Sequence, residues 1–116
     1  MRKLSLLLFP GVLLITGVAL TSCQKSQDTQ VATIKIGLAG AQTGSDGQLG
    51  LSMINGSKIA IDEWNAKGGV LGKKIEPISL DDEGKPDQAV TVAQTLVDDG
   101  VVAVIGHFNS GCTIPA

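Results

Sequence analysis

Val101-Val102-Ala103-Val104-Ile105 is the segment from which the architecture of the chain follows. It is an unbroken apolar run between Gly100 and Gly106, and most of it is β-branched. A strand without polar alternation has both faces covered, which is the signature of a parallel sheet flanked by helices. The residues on either side place it. Before it, Pro86 opens a helical segment, a position where its missing N–H costs little. Ala89, Val92, Ala93, Leu96 and Val97 make that helix's apolar face, Asp87 favours its dipole, and Gly100 stops it.

Further upstream, Lys74 to Asp81 reads as a strand carrying Ile75, Ile78 and Leu80. Pro77 lacks the N–H that a ladder needs, which puts this strand at a sheet edge. Asp81-Asp82-Glu83-Gly84-Lys85 after it reads as a solvated polar loop. From about Leu49 to Lys67 the period is helical. Met53, Ala60, Ile61 and Trp64 share one face, with Ile54 at its margin and Ile59 off it. Ser57 lies in the stripe, where its hydroxyl can bond the carbonyl one turn back. Gly56 beside it suggests a close approach to a sheet, and Gly68-Gly69 ends the helix. Val31 to Leu38 is a strand, with Ile34, Ile36 and Leu38 alternating with Lys35 and Gly37.

The order is therefore β–α–β–α–β, an α/β fold with a three-layer open parallel sheet and right-handed crossovers. An edge second strand and a buried third give the spatial order 2-1-3. The third strand is followed by Gly106 to Thr113 and then Pro115-Ala116. Its far edge would be left unpaired and apolar, a hazard in a finished protein. The chain is thus expected to be the front of a longer protein.

In open α/β sheets, ligands sit beyond the carboxyl ends of the strands where strand order reverses. With order 2-1-3 that crevice lies between Gly40–Gln48 and Gly106–Thr113. The second loop reads as leading into a helix capped by Ser110 or Asn109. The N–H groups of Gly111, Cys112 and Thr113 would then point outward, a setting that attracts a carboxylate or phosphate. The alternative is that Ser110 or Asn109 merely caps the helix.

Other chemistry is weakly supported. His107 is the one histidine and has no serine–acid arrangement around it, so it reads as structural. Cys112 and His107 lack the neighbours of a metal site. The glycines at 37, 40, 44 and 47 form no dinucleotide fingerprint, and no phosphate-loop lysine pattern occurs. No cofactor is expected. Net charge is −2 and pI about 5.1, which argues against nucleic acid. Aromatic residues are 3% of the chain, too few for an evident stacking platform.

At the amino terminus, Met1-Arg2-Lys3, an apolar run from Leu4 to Leu20 and the small residues Thr21-Ser22 make an export signal. The stretch barely has the length of a membrane span, and Pro10, Gly11 and Gly17 weaken it as a helix. Leu20-Thr21-Ser22-Cys23 resembles the lipobox of bacterial lipoproteins. That likeness implies a signal over residues 1–22, lipidation of Cys23 and a periplasmic or cell-surface location on a lipid anchor. Residues 23–30 are polar and read as a flexible tether. A lipidated Cys23 would leave Cys112 without a disulfide partner.

Residues 31–116 also resemble the branched-chain amino acid binding proteins of the periplasmic-binding-protein type I family. The likeness rests on Ile34-Lys35-Ile36-Gly37-Leu38 with Gln42-Thr43-Gly44, and on Asn65-Ala66-Lys67-Gly68-Gly69-Val70-Leu71-Gly72. Asp81-Asp82 with Pro86 and Gln88-Ala89-Val90 adds to it, as do Val104-Ile105-Gly106-His107 and Ser110, Thr113 and Pro115-Ala116. The resemblance implies part of the first of two lobes, with ligand held between them and passed to an ABC permease. It implies no catalysis. Ser110 would meet the amino acid α-carboxylate, and the loop from Gln42 and Thr43 to Leu49 would lie near the ligand side chain. Two departures bear on this. A disulfide of some members would join positions matching Gly84 and Asn109, and Leu49 stands where an aromatic residue is common. The rivals are an amide, urea or amino acid sensor of the same fold, an enzyme on a doubly wound fold, and a nonfunctional remnant.

Overall fold

The computed structural model describes residues 32–116. The expected signal, the tether, Cys23 and the start of the first strand at Val31 lie outside these described residues. The elements are β1 (Ile34–Gly40), α1 (Gly47–Ala66), β2 (Ile75–Asp81), α2 (Pro86–Asp98), β3 (Ala103–Ile105) and α3 (Ser110–Thr113). The sheet is parallel with order β2-β1-β3, as the proline in β2 and the short loops imply. Pro77 pairs with Ile36 on the one side where β2 has a neighbour.

β1 is the centre, and its alternation makes three layers. Leu38 packs with Ile54 and Ile61 of α1 and Ile75 of β2, with Ile36 and Met53 against that cluster. Ala39 points the other way, to Val92 and Leu96 of α2, with Ile78 and Leu80 alongside. Leu38, Ala39 and Leu96 are fully buried. Burying one leucine of this kind contributes about 1.5–3 kcal/mol. The α2 side of β1 uses small residues because Leu96 lies so near. A Cβ on Gly37 would fall 2.8 Å from Leu96 Cδ1.

α1 is rotated relative to the sequence expectation. Ile54 is central rather than marginal, Ile61 is buried, and Ala60 and Trp64 are exposed. The close-approach glycine is Gly50, not Gly56. A Cβ at Gly50 would meet Ala41 O at 1.8 Å, whereas one at Gly56 would point into open space. Gly50 thus seats the start of α1 on the end of β1 and fixes its rotation. Ser57 does bond the Met53 carbonyl, at 2.9 Å. At the far end, Asn65 pairs with both backbone groups of Ile75: Nδ2 donates to the carbonyl (2.8 Å) and Oδ1 accepts the N–H (2.7 Å). Trp64 beside it is exposed.

β3 corrects a second expectation. It spans three residues rather than five, and all three are exposed, so it is an edge and not a buried strand. Val97 of α2, expected in the core, is exposed for the same reason: nothing among the described residues covers the flank of β3. No helix among the described residues is long and apolar enough to cross a membrane.

Candidate functional site

Strand order reverses between β1 and β3, and the loops after them meet at their carboxyl ends. Gly106 makes the meeting possible. Its φ is +134°, and a Cβ there would stand 1.9 Å from Ala39 O. Side chains then tie the loops together. Asn109 Nδ2 donates to Asp46 Oδ2 at 2.6 Å, joining residues 63 apart in sequence.

The loop after β2 braces both. Asp81 accepts the Gln42 N–H (2.8 Å), the Thr43 hydroxyl (2.6 Å) and the Glu83 N–H (2.8 Å). Burial pushes its carboxyl up, but the hydrogen bonds from Thr43, Gln42 and Glu83 outweigh that and hold it below the usual carboxylate value. Asp82 is fully buried. Its Oδ1 accepts the Gly84 N–H at 2.8 Å, and its Oδ2 lies 2.6 Å from His107 Nδ1. With Asp82 ionised its carboxylate can only accept, and the imidazole tautomer that fits this contact carries its proton on Nδ1. The Asp81-Asp82 segment is therefore not the solvated loop that its composition suggests. His107, read from the sequence as structural, pairs with Asp82, a partner that was not legible in the sequence.

α3 begins where the sequence places it, with Asn109 in the cap position. The Asn109 side chain does not cap; it is spent on Asp46. Its carbonyl accepts the N–H groups of Cys112 (2.9 Å) and Thr113 (3.0 Å). This corrects the expectation that both point outward. The N–H groups of Ser110 and Gly111 make no hydrogen bond among the described residues, and both residues are exposed.

The candidate residues therefore divide. Ser110, Gly111 and Leu49 face solvent, Leu49 at 57% exposure. Thr43 is exposed with its hydroxyl on Asp81, and Gln42 is half-buried with its N–H on the same carboxylate. Cys112 is buried as a free thiol. Burial pushes that thiol up, and the charges of Asp82 and Asp46 add to the effect. The Thr113 hydroxyl donates within the turn to the carbonyls of His107 (3.0 Å) and Asn109 (3.2 Å). Cys112 and Thr113 hold the turn, while Ser110 and Gly111 are free to meet a ligand.

A mostly apolar cavity of about 270 Å³ opens beside the same turn, lined by Ala93 and Val97 of α2, Val104 of β3, and Gly106, His107 and Thr113. It lies along the flank of β3 beside α2, the uncovered edge of the sheet. The crossing loops, not this flank, carry the unpaired donors, so the crevice at the strand ends is the candidate site. Among the described residues, no group of three or more His, Cys, Asp or Glu could hold a metal.

Known proteins share this arrangement. The family described as periplasmic binding protein matches residues 33–115. A Leu/Ile/Val-binding protein homolog from Brucella abortus is 41% identical over 102 residues, covering 88% of this chain and 28% of that protein. The branched-chain amino acid transporter substrate binding protein of Streptococcus pneumoniae, solved in complex with isoleucine, aligns with a TM-score of 0.71 and 38% identity. That alignment covers 73% of this chain and 25% of the other. A solute binding protein of an ABC transporter from Rhodopseudomonas palustris, solved with 3,4-dihydroxy benzoic acid, gives 0.65 and 34%, over 72% and 23%. The chain spans about a quarter of the length of these relatives. A family of binding proteins agrees with the expectation that the chain is not an enzyme. With its β2-β1-β3 sheet and a profile match over nearly all the described residues, the chain belongs to the periplasmic binding protein family.

Proposed function

We propose that the chain forms one wall of the ligand cleft of an extracytoplasmic solute-binding protein. It captures a branched-chain or related amino acid between two lobes and delivers it to an ABC permease. The observation that carries this reading is the turn after β3. It holds the Ser110 hydroxyl and the free N–H groups of Ser110 and Gly111 at the switch point of the sheet. Three exposed donors suit a carboxylate, and the two solved relatives were crystallised with carboxylic acids. Gln42 and Thr43 on the first loop and Leu49 in the first turn of α1 border the ligand side chain. Cys112 and Thr113 close the turn through their N–H groups on the Asn109 carbonyl.

In the full-length protein, L-leucine, L-isoleucine or L-valine should raise the melting temperature, since a ligand that binds only the native state stabilises it. Ser110→Ala should weaken that binding by about 1.5–3 kcal/mol, the worth of a hydrogen bond to a charged group. Stabilisation by urea or simple amides alone would instead support a sensor, and stabilisation by nucleotides alone an enzyme. Unchanged affinity in Ser110→Ala would return this residue to a plain position in the turn.

The Leu20-Thr21-Ser22-Cys23 sequence supports export and lipid attachment at Cys23, leaving residues 23–30 as a tether to the membrane. Two or more acyl chains make a stable anchor, where one is marginal. Growth with labelled fatty acid should mark the protein and not Cys23→Ala. Equal labelling of both would refute lipidation there.

A further inference from the structure

Asp82 is a charged side chain with no exposure and no part in the proposed ligand contacts. A buried carboxylate is costly unless it is paired and hydrogen-bonded, and a polar asparagine or an apolar residue would fill the space at lower cost. What it holds is informative. One oxygen fixes its own loop through the Gly84 N–H, and the other grips the His107 ring, whose side chain is 5% exposed. His107 stands just before the turn. Its carbonyl accepts the Thr113 hydroxyl at 3.0 Å, which closes the turn Ser110–Thr113 on itself. A continuous path therefore runs from Asp82 to His107 to Thr113. It ends in the same turn that carries the free N–H groups of Ser110 and Gly111. Asp46, which accepts from Asn109, and the free thiol of Cys112 are the other ionisable groups close by, and neither hydrogen-bonds His107 among the described residues.

We propose that Asp82 is a positioning residue for ligand binding: without touching the ligand, it fixes the Ser110–Thr113 turn through the buried His107 imidazole. This rests on the reading of that turn as the ligand contact. The physical reason is pre-organisation. Donors held within a fraction of an ångström of the bound geometry bind without losing freedom at that moment, and such precision depends on the partners behind them. A carboxylate set against an imidazole N–H fixes both the tautomer and the ring plane.

The test uses the full-length protein and L-leucine. Asp82→Ala should weaken affinity by about tenfold or more, beyond any loss of melting temperature in the free protein. Asp82→Asn has one oxygen, which can keep the Gly84 N–H while its Nδ2 donates to Nδ1 of the other imidazole tautomer, and it should recover part of the loss. In Asp82→Ala/Ser110→Ala the two losses should fall short of their sum, because one substitution acts through the other. A lower melting temperature with unchanged affinity overturns the proposal, as do additive losses or no recovery in Asp82→Asn. If Ser110→Ala alone leaves affinity unchanged, the ligand reading of the turn has failed instead. Should the Asp82 variants not fold, the unsubstituted protein decides. The His107 Nδ1 proton resonance should shift on saturation with leucine, and an unmoved resonance overturns the proposal.

Discussion

β1 and β3 are neighbours in one sheet, paired in parallel through Ile36 with Ala103, Gly37 with Val104 and Leu38 with Ile105. Both are apolar. Yet Leu38 and Ala39 have no exposure, while Val104 and Ile105 keep 43% and 40% of theirs. The difference is what lies above and below. β1 has a strand on each side, α1 over one face and α2 over the other. Among the described residues β3 has one strand neighbour and little over either face. Apolar composition thus selects residues that can be buried, and the layers decide which of them are.

Substitutions can break or sharpen this contrast. The largest effect is expected at Leu96, fully buried over Gly37 and Ala39. Leu96→Ala should cost about 2–5 kcal/mol in denaturant unfolding, the range for cavities in packed cores. A loss below about 1 kcal/mol would mean that the α2 layer is loosely packed. Next comes Gly106, where the two regions touch. Gly106→Ala puts a methyl against the Ala39 carbonyl at a positive φ and should cost about 1–3 kcal/mol. It should also separate the two candidate loops, seen as loss of amide protection in residues 106–109. Retained protection would show that the approach is not essential. The smallest effect belongs to Val104→Ala on the exposed strand, within about 1 kcal/mol in the 116-residue chain. A cost equal to that of Leu96→Ala would erase the distinction between the strands.

The sheet was readable from the sequence because its signals are local. Pro77 marks an edge, Pro86 a helix start, Gly100 a helix end, and the short loops a parallel order. The rotation of α1 was not readable, since it depends on Gly50 against a backbone carbonyl that no periodicity reports. Trp64 lies off the face that this rotation buries, and Val97 belongs to an apolar stripe on the side that the short β3 leaves open. The candidate site divided in the same way. The turn at Ser110 followed from topology. The contacts that support it join residues 25 and 63 apart, Asp82 with His107 and Asp46 with Asn109, and no spacing rule links them. One local signal was present in Asp82-Glu83-Gly84, where an acid two residues before a glycine can accept its N–H in an Asx turn.

Asn65 carries a consequence for how the sheet comes together. Its side-chain amide offers Ile75 one donor and one acceptor, as a neighbouring strand would. The contact spans ten residues, and loops of that length close in roughly 10–100 ns. The first residue of β2 can therefore dock on the end of α1 well before distant strands find one another. Since a shift of one residue would turn Ile78 and Leu80 to the wrong face, early docking removes the commonest pairing error before it can occur. A helix terminus here acts as a ruler, and the alignment of β2 with β1 is inherited from it.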